Sequence, residues 1–309
     1  MRTLHFSVIV PVYNACATLC TAVKSVQAQT EQDWEMILLD DGSTDRSLQL
    51  MLSYLCEDMR IRTVTQDNSG VSATRNLGAE FARGKYLAFL DADDAWHPDK
   101  LARHRQFHEE NPDLAGSFAR VAFCETRKEG LSSPRSFSTV PEGTLSLAQV
   151  LGENPVCTAS NLVIERKIFN ECGGFDQTMR YAEDQELLAR LTSDRKQIMG
   201  IQETLTHYRM SENGLSTHSE SMLEGWKKII ARYSGEVDPD AALATYYRYL
   251  ARRTLRSGGS ARQALEYVRQ GLSIDTGSFL DNPRRGALTA AGALAGLFLP
   301  TLWRKRLFA

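Results

Sequence analysis

Residues 84–94 read GKYLAFLDADD, an apolar run (Tyr86, Leu87, Ala88, Phe89, Leu90) that ends in three carboxylates, Asp91, Asp93 and Asp94. Negative charges crowded at the mouth of an apolar element repel one another and resist desolvation. They are tolerated where water, a metal ion or cationic groups compensate them. Asp91 and Asp93 stand two apart, so on an extended chain they project to one face and could converge on a hard divalent cation. The competing reading is a solvated turn that caps the next helix. Other stretches carry groups suited to chemistry: Pro11-Val12-Tyr13-Asn14 offers an aromatic ring, Asp40 to Asp45 offers carboxylates and hydroxyls, and Glu183-Asp184 is an acidic pair heading a helix. An acid at a helix N-terminus is favoured by the macrodipole without any catalytic role.

The elements that must position these groups follow from hydrophobic period and punctuation. FSVIVPV over 6–12 predicts a strand, and after Asn14, a good N-cap, Leu19, Val23 and Val26 recur at helical spacing. A second strand is predicted over 34–39. It closes on Asp40 to Asp45, where Gly42 makes the turn and Ser43, Thr44 or Asp45 can cap a helix over 48–59. A strand over 61–65, a helix over 71–83 and a strand over 86–90 complete a βαβαβαβ pattern. Such alternation predicts an α/β fold with a mostly parallel sheet, helices on both faces, and ligands beyond the carboxyl ends of the strands. Each polar cluster of this half follows a strand, so clusters distant in sequence are expected to converge on one crevice.

Further along, the pattern predicts a helix over 98–111, a strand over 114–124, a surface loop over 125–143 and a strand-like 158–164. A short helix over 165–171, a Gly173-Gly174 turn, a helix over 185–192, an extended 196–208 and helices from 219 onward follow. Residues 1–218 are read as one domain, with halves 1–112 and 113–218, and 219–309 as a helical extension. The segment 287–303 is uncharged and flanked by Arg284-Arg285 and Arg304-Lys305-Arg306. Seventeen helical residues span roughly 26 Å, short of a bilayer core of about 30 Å, and Pro300 shortens the useful helix further. The tail 284–309 is therefore expected to be an interfacial or re-entrant helix on an anionic membrane surface, against the alternative of a helix packed on the soluble domain.

A net charge of −2 over 309 residues argues against a general polyanion binder, and no nucleic-acid partner is expected. The average hides an asymmetry. From Arg248 to the end, eleven Lys/Arg stand against three Asp/Glu, a balance of +8 that leaves −10 upstream. The six cysteines lack C-x-x-C spacing and are too sparse for a disulfide framework. With no apolar leader before the first strand, a cytoplasmic protein peripheral on the inner face of the membrane is expected.

The crevice thus offers Tyr13 for stacking, Asp41 for a base edge, Arg75, and the Asp91–Asp94 carboxylates. These suit a nucleotide diphosphate with a divalent cation. Neither G-x-G-x-x-G nor the Walker pattern follows the first strand, which disfavours dinucleotide oxidoreductases and P-loop NTPases. Taken in order, SVIVPVYN, LLDDGSTD, SGVSATRNLGAE, YLAFLDADDAW, GGFD and AEDQELLARL resemble the family 2 glycosyltransferases of GT-A fold, over residues 5 to 215.

The resemblance implies an inverting, metal-dependent transferase that moves a sugar from a nucleotide-sugar donor, UDP-linked, to a glycan or lipid-linked glycan acceptor. By it, Pro11 and Tyr13 line the base pocket, Asp41 hydrogen-bonds the base, and Arg75 approaches the base or phosphates. Asp91-Ala92-Asp93 matches the D-x-D element, so Asp93 holds Mn2+ or Mg2+, Asp91 lies near the ribose and Asp94 is a further ligand. Glu183-Asp184 matches the acidic pair, with Asp184 as general base. Two departures stand out. Tyr208-Arg209 is followed by Met210-Ser211 where many relatives carry a histidine, which leaves His207 or His218 as substitutes for a third metal ligand. The Q-x-x-R-W element of processive synthases is missing, which points to one sugar, or few, per encounter. The alternatives are a non-catalytic nucleotide-sugar sensor or scaffold, and a nucleotidyltransferase.

Overall fold

The computed structural model describes residues 4–126, 131–210 and 219–299. Strands β1 (Phe6–Val12) and β2 (Trp34–Asp41) are buried almost throughout. Strands of a parallel sheet covered on both faces carry apolar side chains on both, which is why these segments read as continuous hydrophobic runs. Between them α1 (Leu19–Gln27) buries Leu19, Ala22, Val23 and Val26, one stripe of a 3.6-residue period. The pattern continues with α2 (Ser47–Glu57), β3 (Ile61–Gln66), α3 (Val71–Phe81) and β4 (Tyr86–Phe89). A Cβ on Gly78 would lie 2.5 Å from Ile9 Cγ2, so glycine is what lets α3 sit this close to β1.

The chain then forms β5 (Ala95–Trp96), α4 (Lys100–Glu110), β6 (Gly116–Thr126), β7 (Leu131–Phe137) and α5 (Leu147–Glu153). A 3₁₀ turn at Ala159–Asn161, β8 (Val163–Glu165), α6 (Arg166–Glu171), α7 (Glu183–Ser193) and β9 (Ile198–Met210) follow. The sheet order is β3-β2-β1-β4-β8-β6-β9-β5, with β7 on β6. Strands β3, β2, β1 and β4 run parallel, whereas β8 pairs antiparallel with both β4 and β6. The strand order reverses direction at β1, between β2 and β4, and a crevice opens at such a point beyond the strand ends.

Three local expectations change, and one helix is added. Asn14 is not a helix cap: α1 begins at Leu19, and Asn14, at φ 50°, turns its side-chain oxygen to the N–H groups of Thr44 and Asp45. It ties the loop after β1 to the loop after β2. The loop expected over 125–143 contains β7, an edge strand whose Ser, Pro and Arg hide the alternation; residues 127–130 lie outside the described part. The strand-like 158–164 is a 3₁₀ turn followed by β8, because the Thr158 side chain accepts from Ser160 N and caps the turn. The added helix is α5, which Ser146 and Gln149 open with a reciprocal capping box.

Two compact units emerge: residues 1–145 with 155–209, and residues 146–154 with 210–309. In the second, α8 (Ser219–Ile230), α9 (Pro239–Arg256), α10 (Ala261–Ile274), α11 (Thr276–Phe279) and α12 (Pro283–Gly296) join α5. Asp238, Ser260 and Asn282 cap α9, α10 and α12, with proline just inside α9 and α12. The Trp226 indole stacks on Tyr246 at 5.0 Å and donates its Nε1–H to the Leu151 carbonyl. Glu153 on α5 takes guanidinium groups from Arg248, Arg252 and Arg285. Among the described residues, no helix is long and apolar enough to cross a membrane. Residues 300–309, with Pro300 and Arg304-Lys305-Arg306, lie outside them.

Candidate active site

The carboxyl end of β2 delivers Asp41, buried to 4% exposure. Its Oδ1 accepts from Gln66 Nε2 at 2.7 Å and from Ser69 N at 2.8 Å, and its Oδ2 accepts from Gly70 N at 3.0 Å. A carboxylate has about four acceptor positions, so Oδ2 keeps a lone pair for a further N–H donor. Gly42 and Gly70 flank this pocket at positive φ. A Cβ on Gly42 would lie 2.9 Å from Asn68 N, so both conformation and space demand glycine there. Pro11 stands in β1 one residue before Val12, and Tyr13 follows with its ring 54% exposed. Tyr13 is therefore not a core residue.

Strand β4 delivers Asp91, Asp93 and Asp94 into a tight turn closed by Asp94 N–H to the Asp91 carbonyl at 3.0 Å. The turn is braced from behind. Ser160 Oγ accepts from Asp91 N at 2.9 Å, and the Ser160 carbonyl accepts from Trp96 Nε1 at 2.8 Å. From β9, Arg209 donates its backbone N–H to Asp94 Oδ1 and its Nε–H to the Asp93 carbonyl. Asp94, the further ligand expected from the sequence, is 1% exposed, and its Oδ2 is buried without a hydrogen-bond partner. Burial, then the charges of Asp93 and Asp91, push its pKa well above the usual carboxylate range.

Asp93 is half-buried; its own backbone N–H hydrogen-bonds its carboxylate, and Arg209 and Arg75 act on it through their charge. Burial and the Asp91 charge raise its pKa to about 6. Burial outweighs these two cations, and the hard oxygens of this carboxylate fit Mn2+ or Mg2+. Among the described residues, no three His, Cys, Asp or Glu side chains form a metal cluster by themselves. His207 faces Ala95 across the β9–β5 pairing, and burial, then the His97 charge, lowers its pKa. His218 lies outside the described residues.

Arg75, on α3, is 3% exposed and joins two sequence-distant acids. Its Nη2 lies 2.6 Å from Asp91 Oδ1 and its Nη1 lies 2.8 Å from Glu183 Oε1. Burial works to strip the guanidinium of its charge, but Asp91 and Glu183 outweigh it and raise the pKa. The adjacent Asn76 repeats the clasp with backbone groups: its Nδ2 donates to the Phe175 carbonyl and its Oδ1 accepts from Phe175 N, both at 2.8 Å. The Arg75 guanidinium also lies over the Phe175 ring at 5.2 Å. Thus α3 grips both the Gly173-Gly174-Phe175 turn and the first residue of α7. Arg190, paired with Glu186 inside α7, secures the same turn through the carbonyls of Cys172 and Gly174.

Asp184 is the second residue of α7, and its Oδ1 accepts from Gln185 N at 2.8 Å. The exposed N–H groups of a helix start favour an ionised carboxylate there. The structure therefore unites Asp91, Arg75 and Glu183 through direct bonds and places Asp93, Asp94 and Asp184 on the neighbouring residues. Asp41 and Tyr13 stand at the ends of β2 and β1. Sequence reading missed Ser160, Asn76, Arg209 and Lys100. Polar residues inside the strand-like 158–164 were the one available signal, for Ser160. Lys100 is fully buried among His104, Thr206 and the Asn161 carbonyl, and burial lowers its pKa to about 7.

Comparison with known proteins gives these arrangements a context. Residues 7–173 match the sequence model described as Glycosyl transferase family 2. The putative teichuronic acid biosynthesis glycosyltransferase TuaG of Bacillus subtilis (strain 168) is 33% identical over 215 residues, 69% of this chain and 81% of TuaG. An uncharacterized glycosyltransferase of Rickettsia conorii is 34% identical over 212 residues, 68% of this chain. That match spans about a third of the Rickettsia conorii protein's own length. Staphylococcus aureus TarS 1-349 in complex with UDP-GlcNAc superposes with a TM-score of 0.61 at 18% identity, covering 98% of this chain and 89% of that one. The mannosyltransferase PcManGT of Pyrobaculum calidifontis, in complex with GDP-Man and Mn2+, gives 0.61 at 14% identity, covering 98% and 84%. At such identities the structural likeness bears on the fold alone, and the GT-A expectation is borne out.

Proposed function

The chain belongs to glycosyl transferase family 2, and from that premise we propose that it is an inverting, metal-dependent transferase acting once or a few times per encounter. Its donor is a nucleotide sugar, UDP-linked, and its acceptor a glycan or lipid-linked glycan of the cell envelope, met at the membrane surface. Residues 1–218 carry the chemistry and 219–309 form the extension. The observation that carries this reading is the Arg75 bridge between Asp91 and Glu183, which ties the D-x-D turn to the acidic helix start.

On this reading the exposed Tyr13 ring and Pro11 receive the base, and Asp41, held by Gln66, Ser69 and Gly70, presents its remaining lone pair to the base edge. Asp93, with Asp91 beside it, holds the cation; when bound, Mn2+ or Mg2+ supplies positive charge where the departing diphosphate gains negative charge. Asp94, locked to Arg209, keeps the turn in place. Asp184 takes the proton of the acceptor hydroxyl as that oxygen attacks the anomeric carbon from the face opposite the diphosphate. Arg75 and Glu183 are positioning residues for Asp91 and Asp184. The test is a panel of nucleotide sugars incubated with the purified chain and Mn2+ or Mg2+, read by nucleoside diphosphate release. One donor should be turned over, faster with acceptor present. Calorimetric binding with no release on a broad acceptor set would make the protein a sensor instead.

A further inference from the structure

Helix α12 is amphipathic in an unusual sense. Its buried residues are small: Gly286, Thr289, Gly292, Ala293 and Gly296. On the opposite side lie Ala287, Leu288, Ala291, Leu294 and Ala295, all exposed, and Phe298 continues that line just past the helix. At 3.6 residues per turn, these positions form one stripe turned away from the buried one. Leu288 is 64%, Leu294 52% and Phe298 86% exposed. A helix on an aqueous surface turns its polar side outward. Here the outward side carries no charge after Arg284, while the inward side packs by close backbone approach: a Cβ on Gly286 would lie 2.8 Å from the Phe279 carbonyl oxygen.

The charges beside this stripe indicate what covers it. Arg284 is exposed at the start of α12, whereas Arg248, Arg252 and Arg285 are taken up by Glu153, and in the sequence Arg304-Lys305-Arg306 follow shortly after the stripe. No helix among the described residues can cross a membrane. An apolar stripe that begins beside an exposed arginine and is followed in the sequence by three cations matches the interface of an anionic bilayer, where apolar side chains enter the acyl boundary and arginines meet lipid phosphates. We propose that α12 lies flat on an anionic lipid surface through Leu288, Leu294 and Phe298, with its small-residue side holding it to the other helices of its unit. The inference takes its partner class from the membrane-surface part of the function proposed above, and it makes no use of the transfer chemistry.

Sedimentation of the full chain with vesicles of phosphatidylcholine, with and without phosphatidylglycerol, tests it. The wild-type chain should bind the anionic vesicles at least about tenfold more tightly than the neutral ones, and high salt should weaken that binding. The triple substitution Leu288→Gln, Leu294→Gln, Phe298→Gln should lower anionic binding at least about tenfold with unchanged thermal unfolding, since all three side chains are exposed. A single Leu294→Trp should show blue-shifted emission on vesicles and quenching by brominated lipid. Equal binding by the triple variant, or an unquenched tryptophan, overturns the proposal. A wild-type chain that self-associates in ultracentrifugation, becomes monomeric in the triple variant and ignores vesicles overturns it in favour of a second copy as the occupant. Vesicle binding without sugar transfer would sink the transferase reading and leave this one standing.

Discussion

Replacing Arg75 by methionine removes the cation from between Asp91 and Glu183 while roughly keeping its volume. Breaking a buried ion pair by deleting one partner costs about 3–5 kcal/mol, because the remaining charge stays desolvated. Here the Asp91 side chain keeps 26% and Glu183 15% of its exposure, so water relaxes part of the loss. We expect destabilisation of about 2–3 kcal/mol in urea unfolding. The first turn of α7 loses its tether, and a displacement of about 1 Å in a catalytic group costs about 100-fold in rate. Transfer by Arg75→Met should fall by that order in kcat, with nucleotide affinity at the Asp41 end of the crevice little changed. Combining Arg75→Met with Glu183→Gln should cost less stability than the separate losses added together, with a coupling of about 1–3 kcal/mol. Additive effects would refute the bridge. So would loss of donor affinity alone with stability and kcat intact, which would make Arg75 a donor-gripping residue.

Two further outcomes follow from the same geometry. Chelation by EDTA, or Asp93→Asn, should lower transfer by about 100- to 1,000-fold, since the developing diphosphate charge loses its counter-charge; activity indifferent to both would remove the metal. Lys100 predicts a pH signature. Its folded pKa is lowered to about 7, whereas the unfolded chain holds that proton up to about pH 10.4. Between those values the unfolded state binds more protons, so the lysine's contribution to stability rises with pH. Wild-type stability relative to Lys100→Met should therefore climb from pH 7 to pH 9.5 in urea titrations, and parallel profiles would contradict the burial argument.

Much of the fold was legible because parallel strands buried on both faces leave an unmistakable trace. FSVIVPV and WEMILL are such traces, and polar clusters follow β1, β2 and β4 as the pattern leads one to expect. Strand β7 was not legible. It is an edge strand whose residues need satisfy only one neighbour, so Ser, Pro and Arg are tolerated and the alternation is lost. The S-x-x-Q box of α5, by contrast, is a local signal that the sequence carries. At the site, residue types were visible but partnerships were not. Nothing local announces that Arg75 reaches Glu183 across 108 positions, or that Asp94 turns inward to the backbone of Arg209. Those pairings are made by the order of strands in the sheet, which residue spacing does not encode. The same holds for Lys100, whose burial depends on β9 and the 3₁₀ turn closing over it.

On the proposed function, Asp184 supplies acceptor chemistry to a donor crevice built separately by Asp41 and the Asp91–Asp94 turn. Calorimetry and transfer measured side by side on the Asp184→Asn variant, with Mn2+ and the donor identified from the panel, test it most directly. Donor affinity should stay within about twofold of wild type while transfer falls by about 1,000-fold or more. Full turnover by Asp184→Asn, or loss of donor binding in step with loss of transfer, would contradict it.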